Sequence, residues 1–179
     1  MGKGIVIIFF IVGFVIFSVI KLAARGVKTA YDVVNEKTPS PQNNAIDEIV
    51  STSINALSSL LQMQQMLMTS ENGSLPSKSK DEWSIGYIAG YVDAYLQLKG
   101  ISFNSTPKIA MYIMASVFIS LYGEMEGHNL FNRFLDLQDD RDLTNLQGQK
   151  IGGEEMMDFI CSDGKKTTLQ WTSYVMDYE

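Results

Sequence analysis

Few residues in this chain have the chemistry to carry a reaction. His128 is the sole histidine, and Glu124 stands four residues before it. On a helix that separation brings two side chains together over one turn, so the pair offers two ligands for a divalent metal. Catalytic zinc takes three protein ligands, and di-iron carboxylate proteins place the Glu three residues before the His. Here that position is Met125, and Gly123 and Gly127 flank the pair. The glycines predict a turn, His128 reads as an ordinary turn histidine, and no metal is expected. Asp136, Asp139, Asp140 and Asp142 suggest calcium at first sight. An EF-hand loop needs Gly at its sixth position and Glu at its twelfth, and neither register supplies them. A solvated acidic helix face accounts for the run.

Cys161 is the only cysteine, which excludes a disulfide within the chain and any site of several thiolates. No motif ties it to His128, so it reads as an inert buried thiol. Gly148-Gln-Lys-Ile-Gly-Gly153 matches neither dinucleotide nor phosphate-loop spacing, and no cofactor is expected. Asn72-Gly-Ser74 and Asn104-Ser-Thr106 fit the glycosylation pattern and equally fit loop and cap positions.

The segment Asp81–Gly100 is the most informative. Gly86 and Gly90 are four apart, hence on one helix face, and each costs ~1 kcal/mol relative to Ala in a helix interior. Close approach of another helix backbone would compensate. Tyr87, Tyr91 and Tyr95 form an adjacent stripe at the same spacing, and Asp93 interrupts the apolar run. If the helix buried Asp93, the carboxylate would need a partner and would mark function. If it shared a polar edge with Asp81, Glu82 and Gln97 it would be merely exposed, and exposure is the expectation because unpaired buried Asp is rare. Gly86, Gly90, Tyr87, Tyr91, Tyr95 and Asp93 are the candidate helix-packing or partner interface. A carboxylate-dependent membrane enzyme, the alternative, would need Asp93, Glu124 and His128 to converge in one pocket.

The elements that must position these residues begin with a membrane segment. Gly4–Ile20 has no charge over 17 residues, ~26 Å as a helix. With Lys21 snorkelling, Leu22–Ala24 extends the apolar path to ~31 Å, enough for a hydrocarbon core. A cleaved signal peptide is the competing reading; the length of the run, Lys21 and the lack of an A-x-A site argue against it. Residues 4–24 are therefore expected to contact the lipid bilayer as a single-pass anchor. Lys21, Arg25, Lys28 and Lys37 outnumber the charges before the span, which favours a cytoplasmic C-terminal domain.

Charge divides the chain. Residues 1–37 carry five basic and two acidic side chains, and the remainder 9 basic and 18 acidic. So acidic a domain repels phosphate backbones, and nucleic acid is not an expected partner.

Past a juxtamembrane helix to residue 36, Lys37–Asn44 with its two prolines reads as a linker, and 45–179 as one acidic helical domain. Its first helix is predicted from about Ala45 to Met68. The apolar stripe is Ile46, Ile49, Val50, Ile54, Leu57, Leu60 and Leu61, continued by Met66, Leu67 and Met68, with Ser and Gln opposite. A capping box Ser79–Glu82 starts the second helix and Gly100 closes it. Pro107 opens a third whose Ile109–Tyr122 stretch has no charge over 14 residues. At ~21 Å that stretch is short for a span, and it is predicted to be the central helix, surrounded by the others. A helix from His128 to about Gly148 follows, then a short one after Gly152-Gly153. The last segment, 167–178, fits helix or strand, with Thr167 and Gln170 as a capping box and the spacing of Trp171, Tyr174 and Tyr178 favouring helix. No internal repeat and no sustained heptad pattern is present.

The fold class is thus all-α: one N-terminal transmembrane helix followed by a bundle of four to six helices. With no catalytic motif, the expected function is a membrane-anchored protein-interaction module, an accessory or structural subunit of a membrane complex. An inhibitor or immunity-type protein fits the same acidic, motif-free description. The protein partner is unidentified, and self-association is open.

Overall fold

The computed structural model describes residues 41–176, with side chains from residue 46 onward. The anchor, the juxtamembrane helix and residues 37–40 of the linker lie outside the described residues. Six α-helices and no strand occur among those described: α1 (Pro41–Met68), α2 (Glu82–Leu98), α3 (Pro107–Tyr122), α4 (Glu124–Asp140), α5 (Leu143–Cys161) and α6 (Gln170–Met176), with a 3-10 turn at Ser77–Lys80. The all-helical bundle is as expected, and the ambiguous last segment is helical through Met176. Among the described residues no helix is long and apolar enough to cross a membrane.

Capping residues fix several boundaries. Asp81, not Ser79, caps α2: its Oδ1 accepts from Ser84 N at 2.8 Å. Ser79 belongs to the 3-10 turn, where its hydroxyl donates to Pro76 O. At the other end Gly100 takes φ +72°, Gly100 N donates to Gln97 O and Ile101 N to Leu96 O, so a Schellman turn ends the helix with Ile101 and Leu96 both buried. The chain predicted as one helix from His128 to Gly148 is two. Arg141 turns left-handed, and Asp142 caps a new helix by accepting from Asn145 N at 2.7 Å. That aspartate is therefore a cap and not part of a solvated face. Nor do Gly148, Gly152 and Gly153 break the chain; α5 runs through all three. Gly127 likewise lies within α4, not in a turn, and a Cβ there would fall 2.5 Å from Ile119 Cα. This is where α3 and α4 touch.

The central helix is α2, not α3. Every residue from Trp83 to Val92 is buried, and α2 meets each of the other helices. The α3 helix packs mainly on α4 and α1 and shows Lys108, Tyr112 and Ser120 to solvent. Lack of charge alone put α3 at the centre; the glycines of α2, which let α5 cover a second face, decide otherwise. Phe118 from α3 and Phe131 and Phe134 from α4 fill the α3–α4 side of the core.

On α1 the inward stripe is Val50, Ile54, Leu57, Leu60, Leu61 and Met68, joined by buried Ser53, Ser58, Gln64 and Gln65. Ile46, Ile49, Met66 and Leu67, expected in that stripe, face outward. The glutamines are buried because they have partners: Gln65 Nε2 donates to Leu121 O, and Gln64 Nε2 to the Tyr87 hydroxyl. A hydrogen-bonded amide in the interior costs far less than an unpaired one.

Candidate functional site

Gly86 and Gly90 lie against the backbone of α5, and α5 presents its own pair. A Cβ on Gly86 would fall 2.1 Å from Asn145 O and one on Gly90 1.9 Å from Gln149 O; one on Gly148 would fall 2.1 Å from Trp83 O and one on Gly152 2.1 Å from Tyr87 O. The contacts are reciprocal, with both glycine pairs at a separation of four, so the two backbones touch along two turns. Close approach of this kind brings many atoms into dispersion range at once.

The seam holds Tyr87 and Tyr91 in the interior. Trp83, Tyr87 and Tyr91 stack in a column, with ring centroids 5.5 Å apart for the first pair and 5.8 Å for the second. From α6, Tyr174 stacks on Trp83 at 4.0 Å and Trp171 on Tyr87 at 6.2 Å. Tyr95 continues the stripe at the half-buried end of α2, with Lys99 Nζ 5.4 Å from its ring centre.

A polar chain crosses this column. Gln64 Nε2 donates to the Tyr87 hydroxyl at 3.0 Å, and that hydroxyl donates to Glu155 Oε2. The other oxygen of Glu155 accepts from Leu169 N and Gln170 N, the first amides of α6. One carboxylate on α5 thus starts α6, in place of the expected Thr167–Gln170 box. Gln64 also accepts from Thr172, so α1, α2, α5 and α6 are linked through four side chains. Burial, and then the Glu155 charge, push the Tyr87 hydroxyl well above the usual phenol range. Burial pushes Tyr91 up to about 12, eased by the Thr168 hydroxyl and raised further by Glu155. Tyr91 and Thr168 stand near one another without a well-formed hydrogen bond. Both phenols stay protonated at neutral pH, so this site donates hydrogen bonds and has no base among its tyrosines.

Asp93 is half-buried, not exposed. It rims a cavity of about 40 Å³ with Ala89, Phe103, Met114, Phe134, Gln138 and Gln149. Burial raises its carboxyl to about 6, and the Gln97 Nε2 donor at 2.8 Å holds it back. Two of these lining residues, Gln138 and Gln149, donate to buried Asn145 at 2.8 and 2.7 Å, and Asn145 donates to Glu82 O at 2.9 Å. A water needs ~10–15 Å³ by this measure and a drug-sized ligand several hundred. The cavity therefore has room for a few waters.

Glu124 and His128 are exposed in the first two turns of α4. They are at least six residues, ~9 Å along the axis, from Phe134 and Gln138, which line the Asp93 cavity. The three residues that a carboxylate enzyme would use do not share a pocket. Among the described residues no group of three or more His, Cys, Asp or Glu is placed to hold a metal. Cys161, expected to be buried, is exposed at the end of α5. Asp136, Asp139 and Asp140 lie on the solvent face of α4.

Sequence reasoning missed Gly148 and Gly152, Gln64, Glu155 and Asn145. A signal for the first two existed: Gly148 and Gly152 repeat the four-residue spacing of Gly86 and Gly90. Comparison with protein-family models, with curated proteins and with solved structures finds no match.

Proposed function

We propose that this chain is a membrane-tethered helical module that acts by docking another protein on the outer face of α1. One observation carries the reading. No residue from Ile49 to Ser70 is charged, yet α1 turns Met66 (77 % exposed), Leu67 (56 %), Met63 (50 %) and Ile49 (47 %) to solvent. Protein interfaces are depleted of charge at their centres and enriched in Met, and contiguous exposed apolar surface marks interaction sites. The residues first considered for an interface, Gly86, Gly90, Tyr87 and Tyr91, are occupied by packing within the domain, which leaves α1 as the better surface. The tether rests on Gly4–Ile20, and the cytoplasmic side of the domain on the Lys/Arg excess after it.

The test is a Met63→Glu/Met66→Glu variant in native membranes. Both side chains are outward, so the melting curve of the domain should not move while proteins that copurify with the wild type are lost. A variant that keeps them all refutes the docking face. The inhibitor-type reading is favoured by the exposed Asp136, Asp139 and Asp140 on α4. It requires a basic partner whose binding weakens steeply with salt, whereas docking on the uncharged α1 face should be salt-tolerant.

A further inference from the structure

The cavity beside Asp93 has a polar rim and an apolar floor. Asp93, Gln138 and Gln149 line it and are half-buried, whereas its other lining residues, Ala89, Phe103, Met114 and Phe134, are buried. One backbone carbonyl sets the polarity of the rim. Glu82 O accepts from Asn145 Nδ2, which turns Asn145 Oδ1 to the two glutamines. Both must meet it nitrogen first. Each keeps an amide oxygen that bonds to no group among the described residues. Asp93 is an acceptor as well. Its Oδ2 accepts from Gln97, and among the described residues no Lys or Arg forms an ion pair with it. The rim therefore presents one carboxylate and two carbonyl oxygens, and no other charged side chain lines the cavity. Carboxylates withdrawn from water are as a rule paired with a cation.

We propose that this cavity binds a small primary alkylammonium ion, with its nitrogen at the rim and its carbon end on the floor. The chemistry matches group by group. An ammonium group on a single carbon has three N–H donors, and the rim has three acceptor groups. The floor takes the alkyl end, as in small-ligand pockets that are apolar with a few placed polar groups. Size limits the ion. A cavity of about 40 Å³ corresponds to roughly three waters at ~10–15 Å³ each, which is the space of ethylammonium with its three non-hydrogen atoms. A metal ion fits less well. Calcium and magnesium take about six oxygens or more, and Ala89, Phe103, Met114 and Phe134 bring no side-chain oxygen. The tip of a lysine from another protein would enter with its carbons outward and set its ammonium on the apolar floor, so a free amine is the better match. Asp93, its carboxyl raised by burial to about 6, is ionised at neutral pH and above, and a bound cation would draw that value down.

The experiment titrates the full chain, in detergent micelles at about pH 7.5, where a carboxyl of this kind is ionised, with ethylammonium chloride. The readout is the nuclear magnetic resonance of carbon-13-labelled methionine methyls, with Met114 on the cavity floor as reporter. A ligand of three non-hydrogen atoms binds at about 0.5 mM or weaker, so the Met114 signal should shift and saturate in the millimolar range. Potassium chloride has no N–H donors and tetramethylammonium chloride has neither donors nor the right size, so neither should saturate it. Asp93→Asn should abolish the saturable shift while the other methionine signals stay in place, which shows that the variant is folded. No saturation with ethylammonium overturns the proposal. Equal saturation with potassium also overturns it, because the carboxylate would then be attracting any small cation. Saturation that survives Asp93→Asn places the binding elsewhere and overturns it as well.

Discussion

Gly152 and Gly153 are neighbours in α5, and the structure gives them opposite responses to the same change. In Gly152→Ala the new methyl would sit 2.1 Å from Tyr87 O and 2.9 Å from Tyr87 C. Both are backbone atoms of the central helix, so no side chain can swing away. A normal carbon–oxygen contact needs more than 3 Å, so α5 must retreat by about an ångström. The retreat loosens the reciprocal contacts at Gly86, Gly90 and Gly148 together. Overpacking a tight core costs ~1–3 kcal/mol and sometimes more; a contact with immovable backbone belongs at the upper end. Replacing a helical Gly by Ala returns ~1 kcal/mol, leaving a net loss of about 2 kcal/mol. In Gly153→Ala the nearest atom is Gly90 O at 3.5 Å, an ordinary contact. Only the propensity gain remains, up to ~1 kcal/mol of added stability. Thermal unfolding of the two variants followed by far-ultraviolet circular dichroism should separate them. At roughly 4 °C per kcal/mol for a domain of this size, Gly152→Ala should melt about 8 °C lower and Gly153→Ala a few degrees higher than the parent. If Gly152→Ala is no less stable than Gly153→Ala, the glycine seam is not what holds α5 to α2.

Three further outcomes are expected. Glu155→Ala removes the acceptor for Tyr87 and for the first amides of α6. Hydrogen bonds to a charged group contribute ~1.5–3 kcal/mol, so α6 should detach before the rest unfolds, read as a red shift of Trp171 emission in a Trp83→Phe background; unchanged emission would show that packing alone retains α6. Asp93 has a folded-state carboxyl raised to about 6 from 3.8, so the folded chain binds a proton between those values that the unfolded chain does not. Stability should therefore fall as pH rises from 4 to 6 and level off above, and Asp93→Asn should be the more stable protein at pH 7 with an advantage that vanishes below pH 4; a pH-independent difference in urea midpoint would refute the burial of that charge. Cys161 is exposed and should react with a thiol reagent in the folded protein as fast as in the unfolded one, and strong protection would contradict its place at the end of α5.

Much of the secondary structure was legible in the residues because its causes are local. Pro107 opens α3, Gly100 closes α2, and the helical spacing of Trp171 and Tyr174 outweighed alternation in the last segment. Boundaries set by competing local signals were read less well. Gly148, Gly152 and Gly153 looked like breaks because Gly is costly in an isolated helix. Inside the domain that cost is offset by the contact with α2 that only glycine permits. Asp142 was hidden in an acidic run, since its role as a cap depends on Arg141 turning left-handed just before it.

The sequence by itself determined that this is an all-helical acidic domain behind an uncharged apolar segment, and that Gly86 and Gly90 call for a neighbour. Pattern and charge suffice for that, because they act along the chain. Only the tertiary structure decided which neighbour it was, that α2 and not α3 is central, and that Gln64, Glu155 and Asn145 are partners in the interior. It also decided which side of α1 faces out. From Ile49 onward both sides of that helix are uncharged, so charge could not choose between them; the choice fell to the side whose glutamines find buried partners, which leaves Met63 and Met66 in water.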